Sequence, residues 1–212
     1  AIFSYNRGAY LENCVTSVVR NMPGIPYLVY DDGSDESSTL SYLHRLGNQV
    51  RHMKSASNDR HGGYYSNMQH ALSACQADYL LMLQDDLQIV RPFDVHDLKK
   101  LHHIFEANPD LAFISPLFMK GSKRAYFQQR YQADQNLRCY RWLADPNESN
   151  KVPQKYADIA LLHVDRLRAK GWQFAASEAD NGLLADQLWP DMIQAAEPWI
   201  FYVPEEPAYR GR

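Results

Sequence analysis

Segments typical of strands alternate with segments typical of helices along the first half of the chain, and this alternation constrains the fold more than any other feature. Short apolar runs occupy residues 2–5, 27–30, 50–53, 79–83 and 111–114. Between the runs, apolar residues recur at helical spacing, as Leu11, Val15 and Val18 do. Strands that alternate with helices form a parallel sheet covered by helices. The sequence therefore predicts an α/β fold with a mostly parallel central sheet flanked by helices.

The length and composition of the chain predict one folded domain. The 212 residues are 45% hydrophobic and 22% charged, which is ordinary globular usage and excludes wholesale disorder. Further strands are predicted at residues 159–162 and 199–203, and a helix is predicted around residues 183–188. Residues 120–154 show no periodicity, and we expect an irregular excursion there rather than a linker.

Charge and cysteine usage narrow the class of protein. Lys and Arg number 22 against 25 Asp and Glu, so the net charge of −3 gives no general attraction for nucleic acid, and we expect no nucleic-acid partner. The three cysteines form no C-x-x-C pair, which favours a reducing compartment. No apolar run approaches the about 20 residues that span a bilayer, and we see no signal peptide. These features predict a cytoplasmic protein.

Two acidic clusters directly follow predicted strands. Residues 31–35 (DDGSD) follow one strand and residues 84–86 (QDD) follow another. The first cluster is equally typical of a capped turn. In open α/β sheets, however, ligands bind at the carboxyl ends of the strands. A carboxylate pair such as Asp85 and Asp86 beside a core needs a compensating cation, and oxygen ligands favour Mg²⁺ or Mn²⁺ with phosphate oxygens completing the coordination.

Four motifs occur in order within about the first 90 residues. They are residues 3–12 (FSYNRGAYLE), 29–35 (VYDDGSD), 63–72 (GYYSNMQHAL) and 78–86 (DYLLMLQDD). Together they resemble the inverting family 2 glycosyltransferases, which have the Rossmann-like GT-A fold and use nucleotide-sugar donors. Downstream the likeness is weaker and rests on Gly171 with Trp172, on an acidic stretch at residues 178–186, and on the strand at residues 199–204.

The resemblance implies a role for each matching residue in the binding of a donor. Tyr5 would lie against the nucleobase, Asp32 on a base edge, and Asp85 on the ribose. Asp86 would hold the metal, with Asp85 as its neighbour. Further candidates for nucleotide binding are Ser4, Arg7 and Asn67. Arg7 can bind phosphate in bidentate fashion, whereas Asn67 is equally suited to stabilising its own helix.

The resemblance also implies a general base near the end of the chain. An acceptor hydroxyl loses its proton as it attacks the sugar, and in the family a late acidic motif takes that proton. Asp180 is the first candidate, with Asp186 and Glu178 in reserve. The local sequence equally predicts that Asp180 or Asn181 caps a helix beginning near residue 182.

The activity that the resemblance implies is transfer of a sugar, with inversion, from a nucleoside-diphosphate sugar to an acceptor hydroxyl. A UDP-sugar is the expected donor, and the chain would be a metal-assisted hexosyltransferase of polysaccharide biosynthesis. Residues 1–212 would form a single GT-A domain, with residues 1–90 as the nucleotide-sugar half and residues 91–212 as the acceptor half.

Two residues depart from the family pattern. Gln84 stands where the family often has the first acid of the metal-binding strand. Tyr209 and Arg210 stand where many relatives place a metal-binding histidine, so water or the remote His163 would have to take that coordination position. Both departures remove a metal ligand that the family pattern would supply.

Residues 120–141 form a local basic segment in a chain of negative net charge. The segment contains six basic residues and a single acidic residue, Asp134, and aromatic residues lie between the basic ones in the sequence. We expect this segment to contact an anionic acceptor, a glycan or a lipid-linked diphosphate sugar, with peripheral association at the inner membrane face. The alternative is a solvated loop with packing aromatics.

Three rival functions use some of the same residues. A receiver-type phosphoacceptor module would use an acidic pair and a later lysine such as Lys120, but it is much shorter and begins with the acidic-pair strand. A nucleotidyltransferase would need a Gly-rich, Arg-containing loop after its first strand, and residues 4–8 (SYNRG) are not one. A catalytically inactive nucleotide-sugar or carbohydrate-binding relative is the third, and Gln84 is the residue that favours it.

Overall fold

The computed structural model of the protein describes residues 1–52, 63–117, 131–142, 158–188, 193–195 and 198–202. The strands that these residues form are β1 Ile2–Ser4, β2 Val29–Asp31, β3 Val50–His52, β4 Tyr79–Leu81, β5 Leu83–Gln84, β6 Leu87–Ile89, β7 Phe113–Ser115, β8 Tyr131–Asp134, β9 Cys139–Trp142, β10 Leu161–His163, β11 Ile193–Ala195 and β12 Ile200–Tyr202. The α-helices are α1 Gly8–Asn21, α2 Ser37–Leu46, α3 Tyr64–Ala74, α4 Val95–Glu106, α5 Val164–Ala169 and α6 Glu178–Leu188. A short 3₁₀ helix, Gly47–Gln49, follows α2.

The central sheet has the strand order β3-β2-β1-β5, and all of its strands are parallel. Ile2 of β1 pairs with Val29 on one side and with Leu83 on the other. The carboxyl ends of β1, β2 and β5 consequently lie side by side at one edge. The predicted α/β fold with a parallel central sheet flanked by helices is confirmed.

Side chains of successive strand residues enter two cores on opposite faces of this sheet. Ile2 belongs to the core that contains Leu11 and Val15 of α1, whereas Phe3 belongs to the core that contains Met68 of α3. The alternation follows from the pleat of a strand, which points neighbouring side chains to opposite faces. Helices therefore cover the sheet on both faces, as expected for a parallel sheet.

The predicted strand at residues 79–83 changes partners at Met82. Before Met82, β4 pairs antiparallel with β10, and after it β5 pairs parallel with β1. The Met82 backbone N–H donates to the Ala160 carbonyl at 3.1 Å, at the point of change. The prediction of a fully buried strand is wrong for β4, whose residues are half-buried. The reason is that β4 is the outermost strand of the second sheet, which has the order β4-β10-β7-β11-β9-β8.

Three strand features were missed because each is too short or too polar to show a period. Strand β6 begins directly after the acidic pair and pairs antiparallel with β12. Strand β11 lies between β7 and β9. Strands β8 and β9 form a hairpin inside the segment expected to be irregular, and Asp134 Oδ1 stabilises its turn by accepting from the backbone N–H groups of Asn136 and Leu137.

Two arginines of the short helix α5 stabilise the ends of longer helices. Arg166 donates to the carbonyls of Phe105 and Asn108, near the end of α4. Arg168 donates to the carbonyls of Leu72 and Ser73, at the end of α3. A cation that bonds the last carbonyls of a helix satisfies acceptors that have no partner within the helix. In the part of the chain that the structure describes, no helix is long and apolar enough to cross a membrane.

Candidate functional site

A cavity of about 320 Å³ opens at the carboxyl edge of the central sheet. All six residues predicted from the sequence to bind the donor's nucleotide line this cavity: Ser4, Tyr5, Arg7, Asp32, Asn67 and Asp85. They come from the ends of β1, β2 and β5 and from the first turn of α3. Phe3, Tyr30, Tyr64 and Gln84 complete the lining. Asp86, the predicted metal ligand, lies directly after this lining and is buried.

The two adjacent aspartates after β2 have different surroundings. Asp31 is buried and folds the loop, because Oδ2 accepts from the backbone N–H of Ser34 at 3.0 Å and Oδ1 accepts from the Ser34 hydroxyl at 2.6 Å. The capped-turn interpretation is therefore correct for Asp31. Asp32 instead lines the cavity.

Gly63 allows the Asp32 carboxylate to lie against the start of α3. A Cβ atom added to Gly63 would collide with that carboxylate, and such an overlap cannot be relieved without moving the aspartate. The N-terminus of a helix is the electropositive end, which favours a carboxylate at this place. Residue 63 therefore has to be glycine if Asp32 is to keep its position.

Asn6 joins the loop after β1 to the loop after β2, a role that the sequence did not reveal. Its backbone N–H donates to Ser34 Oγ, and its side-chain Oδ1 accepts from the backbone N–H groups of Asp35 and Glu36, each at 2.9 Å. Its φ angle is +50°, in the left-handed region that asparagine tolerates better than most residues. These bonds fix the backbone that presents Tyr5 and Arg7 to the cavity.

Asp85 connects neighbouring strand ends. Its Oδ2 accepts from the Ser4 hydroxyl at 3.0 Å, and its backbone N–H donates to the Phe3 carbonyl. Arg7 Nη1 lies 3.5 Å from Asp85 Oδ1 and 3.3 Å from Asp86 Oδ2. Burial raises the pKa of Asp85 to about 6, while the Arg7 charge and the Ser4 hydrogen bond oppose the rise.

Tyr64 is a cavity residue that sequence reasoning missed. Gln84 Nε2 donates to its hydroxyl at 3.0 Å, and its ring packs edge-on against Phe3 with 5.6 Å between centroids. Gln84, which departs from the pattern that the family resemblance implies, is thus engaged with a tyrosine of α3. The local sequence around Tyr64 does not predict these contacts, because the partners of this helical residue lie in strands β1 and β5.

The described residues fit a metal held by the two carboxylates of Asp85 and Asp86. Among the described residues, no group of three or more His, Cys, Asp or Glu could hold a metal ion. The suggestion of His163 as a ligand is wrong. His163 pairs with Tyr79 at the start of β4, whereas Asp86 follows the end of β5, and the His163 ring packs against Tyr79 and Phe105. Tyr209 and Arg210 lie outside the described residues.

The three candidate bases lie on α6, Glu178 and Asp180 in its first turn and Asp186 near its end. Asp180 is exposed, its backbone N–H donates to Ser177 Oγ at 3.1 Å, and its Oδ2 accepts from the same hydroxyl at 2.6 Å. Ser177 therefore caps a helix that begins at Glu178, and the expected cap at Asp180 or Asn181 is wrong. Asn181 is buried and holds the preceding loop through Ala175. Asp180, Glu178 and Asp186 are not among the residues that line the cavity.

Asp158 is a buried carboxyl group that the sequence did not indicate. The Tyr65 hydroxyl donates to its Oδ2 at 2.8 Å, and its Oδ1 is buried with no hydrogen-bond partner in the part of the chain described. Burial raises its pKa to about 6, the Tyr65 bond opposes this, and the Glu178 charge adds to it. Tyr65 also contacts Tyr64, with 4.9 Å between ring centroids. Asp158 is thereby linked both to the cavity wall and to the start of α6.

Residues 120–130 of the basic segment predicted to contact the acceptor, with four of its six basic residues, lie outside the described residues. Arg138 and Arg141 belong to the hairpin of β8 and β9. Arg141 Nε lies 3.2 Å from Asp134 Oδ2, so this basic residue has an acidic partner of its own.

Comparison with known proteins decides the family. The model of the family described as Glycosyl transferase family 2 matches residues 1–168. The chain belongs to this family. A search of curated proteins finds no significant match.

Solved structures of TarS from S. aureus are similar in fold to this family 2 chain. The structure of TarS 1–349 has a TM-score of 0.60 and 14% identity, covering 95% of this chain and 59% of that one. The complexes of TarS 1–349 with UDP and with UDP-GlcNAc each have a TM-score of 0.58 and 13% identity, covering 96% and 97% of this chain and 59% and 58% of theirs. The chain thus spans less than two thirds of the length of these structures, and identities this low establish a common fold.

Proposed function

We propose that this chain transfers a sugar from a nucleoside-diphosphate sugar to an acceptor hydroxyl, with inversion at the sugar carbon. The observation that carries the proposal is the convergence of six residues, chosen from family motifs, on one cavity at the carboxyl edge of the parallel sheet. This edge is the usual ligand site of open α/β sheets. Membership of glycosyl transferase family 2 supports the same activity.

The proposed donor is a UDP-sugar, because TarS structures of similar fold were solved with UDP and with UDP-GlcNAc. Tyr5 would stack on the nucleobase, Asp32 would accept from a base edge, and Asp85 would accept from the ribose hydroxyls. Above the pKa of about 6 at Asp85, its carboxylate is ionised and is a strong acceptor. Residues 1–90 would thus bind the donor, and residues 91–212 would bind the acceptor.

The proposed metal is Mg²⁺ or Mn²⁺, and the residues fit one that arrives with the nucleotide. Asp86, with Asp85, supplies carboxylate oxygens, and such ions commonly use one or two protein carboxylates together with substrate phosphates. When bound, the ion would offset negative charge on the departing diphosphate. Arg7 would add a donor for the phosphate oxygens.

The proposed base is Asp180, with Asp186 and Glu178 as alternatives. An inverting transfer displaces the diphosphate in one step, so the acceptor oxygen forms its bond to the sugar as the diphosphate bond breaks. The acceptor proton then passes to a carboxylate. Asp180 is exposed at the start of α6, where an acceptor can reach it. The proposed acceptor is a glycan or a lipid-linked sugar, approached at a cytoplasmic membrane face.

Release of UDP from a panel of UDP-sugars, measured with Mn²⁺ or Mg²⁺ and without an added acceptor, tests the proposal, because many transferases hydrolyse their donors slowly. We expect UDP release from one sugar above all others, abolished in Asp86→Ala. Binding of a UDP-sugar with no turnover under any condition would favour the inactive binding relative, which Gln84 suggests. Failure of every nucleotide sugar to bind would reject the proposal.

A further inference from the structure

Arg7 brings a cation to the carboxylate pair from within the chain. Its Nη1 lies 3.5 Å from Asp85 Oδ1 and 3.3 Å from Asp86 Oδ2. The two aspartate side chains are only 6% and 11% exposed, whereas the Arg7 side chain is 39% exposed. The carboxylates are therefore fixed in the protein, and the guanidinium approaches them from the solvent side.

The carboxylate pair needs this positive charge when no ligand is bound. A buried carboxylate that loses its cationic partner strongly destabilises the folded protein, and such carboxylates are therefore seldom left without a compensating charge. A divalent ion at Asp86 would need the same Oδ2 atom that Arg7 contacts. Two cations at one oxygen also repel each other. The interaction of Asp86 Oδ2 with the guanidinium is therefore weaker when the metal is bound, and its interaction with the metal is weaker when the guanidinium is present.

The backbone of Arg7 is held in place while its side chain has an alternative contact. Asn6, with its positive φ and its bonds to the loop after β2, fixes the peptide that precedes Arg7. The guanidinium carbon of Arg7 lies 6.0 Å from the centre of the Tyr10 ring. A guanidinium near an aromatic face gains some cation–π attraction. The side chain can therefore leave the carboxylates without any change in the backbone.

Gln84 reduces the difference between the affinity of the carboxylate pair for a divalent metal and its affinity for the Arg7 guanidinium. An aspartate at this position would add a third negative charge to the strand end and would favour a divalent ion over a single guanidinium. The neutral amide instead bonds to the Tyr64 hydroxyl. Asp85, Asp86 and Arg7 together carry one net negative charge, which is a weak attraction for a free divalent ion.

We infer that Arg7 is an internal counter-ion that competes with the divalent metal for Asp86, and that a donor diphosphate relieves this competition by drawing the guanidinium onto its own oxygens. The inference rests on the proposed nucleotide-sugar site. Phosphate suits a guanidinium at least as well as a carboxylate does, since both accept two parallel N–H bonds. Metal and nucleotide therefore bind cooperatively, and Arg7 carries part of the coupling between them.

Direct counting of bound Mn²⁺ by electron paramagnetic resonance, with the full chain and no nucleotide, tests the competition. We expect Arg7→Gln to bind Mn²⁺ up to about fivefold more tightly than the wild type, because the loss of a partly exposed ion pair changes an affinity by up to about this factor. Added UDP should raise the Mn²⁺ affinity of the wild type by a larger factor than that of Arg7→Gln. Arg7→Lys, whose ammonium is a single point charge, should give an intermediate affinity and serves if Arg7→Gln does not fold.

Arg45→Gln is the matched control. It also removes one arginine charge, but Arg45 pairs with Glu12 at 3.1 Å, is 59% exposed and is not among the residues that line the cavity. Its Mn²⁺ affinity should equal that of the wild type. Equal or weaker Mn²⁺ binding by the Arg7 variants, or no Mn²⁺ binding by any of the proteins, would overturn the inference. Absence of UDP binding in all of the proteins would instead reject the proposed function, while the nucleotide-free titration would still decide the role of Arg7.

Discussion

Gln84 donates a hydrogen bond to the Tyr64 hydroxyl at 3.0 Å, and this bond joins the end of strand β5 to the first turn of helix α3 within the lining of the cavity. The resemblance of the sequence to the family implies an acid at this position. Here an uncharged donor holds an aromatic wall of the cavity in place. Gln84 therefore makes a structural contact and adds no negative charge to the end of the strand.

We expect Gln84→Glu to bind Mn²⁺ more tightly, by about tenfold, because it places a third carboxylate beside Asp85 and Asp86. The glutamate keeps the side-chain length and can accept a bond from the Tyr64 hydroxyl. Calorimetric titration with Mn²⁺ measures the change. Gln88→Glu is the control, because it adds the same negative charge on β6. The native Gln88 side chain accepts a hydrogen bond from Asn13. Equal affinities of the two variants would show that position 84 does not govern the metal.

We expect Gly63→Ala to weaken UDP binding and to destabilise the fold by about 1–3 kcal/mol, as overpacking typically does. The reason is the collision between the new methyl group and the Asp32 carboxylate. Urea unfolding and UDP titration measure the two effects. Ser66→Ala, at an exposed position of the same helix, should leave both unchanged. Normal UDP affinity in Gly63→Ala would remove Asp32 from the nucleotide site.

We expect Asp158→Asn to stabilise the protein more at pH 7.5 than at pH 4.5. The pKa of Asp158 is about 6 in the folded protein, above its ordinary value near 3.8, so the folded state holds the proton more tightly than the unfolded state does. Its contribution to stability is therefore present below about pH 4 and lost as the pH rises to about 6, by on the order of 2 kcal/mol.

Urea unfolding of wild type and Asp158→Asn across this pH range measures that difference. Asparagine retains an oxygen that can accept the Tyr65 hydrogen bond. Asp85 titrates with the same sign in both proteins, so its effect cancels in the comparison. A constant difference between wild type and Asp158→Asn at all pH values would contradict the raised pKa.

The sequence predicted six of the residues that line the cavity but not all of them, and the reason is the distance along the chain between contacting residues. Asp32 and Asp85 follow parallel strands directly, and the carboxyl ends of such strands meet at one edge, so local motifs suffice to bring them together. Tyr64 and Asp158 act through partners in other elements, and the Tyr65–Asp158 bond joins residues 93 positions apart. Which of Asp31 and Asp32 folds the loop depends on turn geometry that adjacent acids do not reveal.

We expect Asp180→Asn to lower turnover by roughly a hundredfold or more with donor binding intact, as removal of a general base does. The asparagine can keep the hydrogen bond to Ser177, so the start of α6 should remain folded. Ser177→Ala is the complementary variant. It removes the cap and should cost about 1 kcal/mol of stability while leaving the carboxylate in place. Normal turnover in Asp180→Asn would move the search to Asp186 or Glu178.

Calorimetric titration of UDP into the wild-type chain, with and without Mn²⁺, tests most directly whether the cavity at the sheet edge is a nucleotide site. We expect saturable binding at one site per chain, strengthened by Mn²⁺, and loss of the Mn²⁺-dependent part alone in Asp86→Ala. A preference for GDP or dTDP would correct the base and leave the site in place. No binding of any nucleoside diphosphate, with or without Mn²⁺, would contradict the assignment of this cavity.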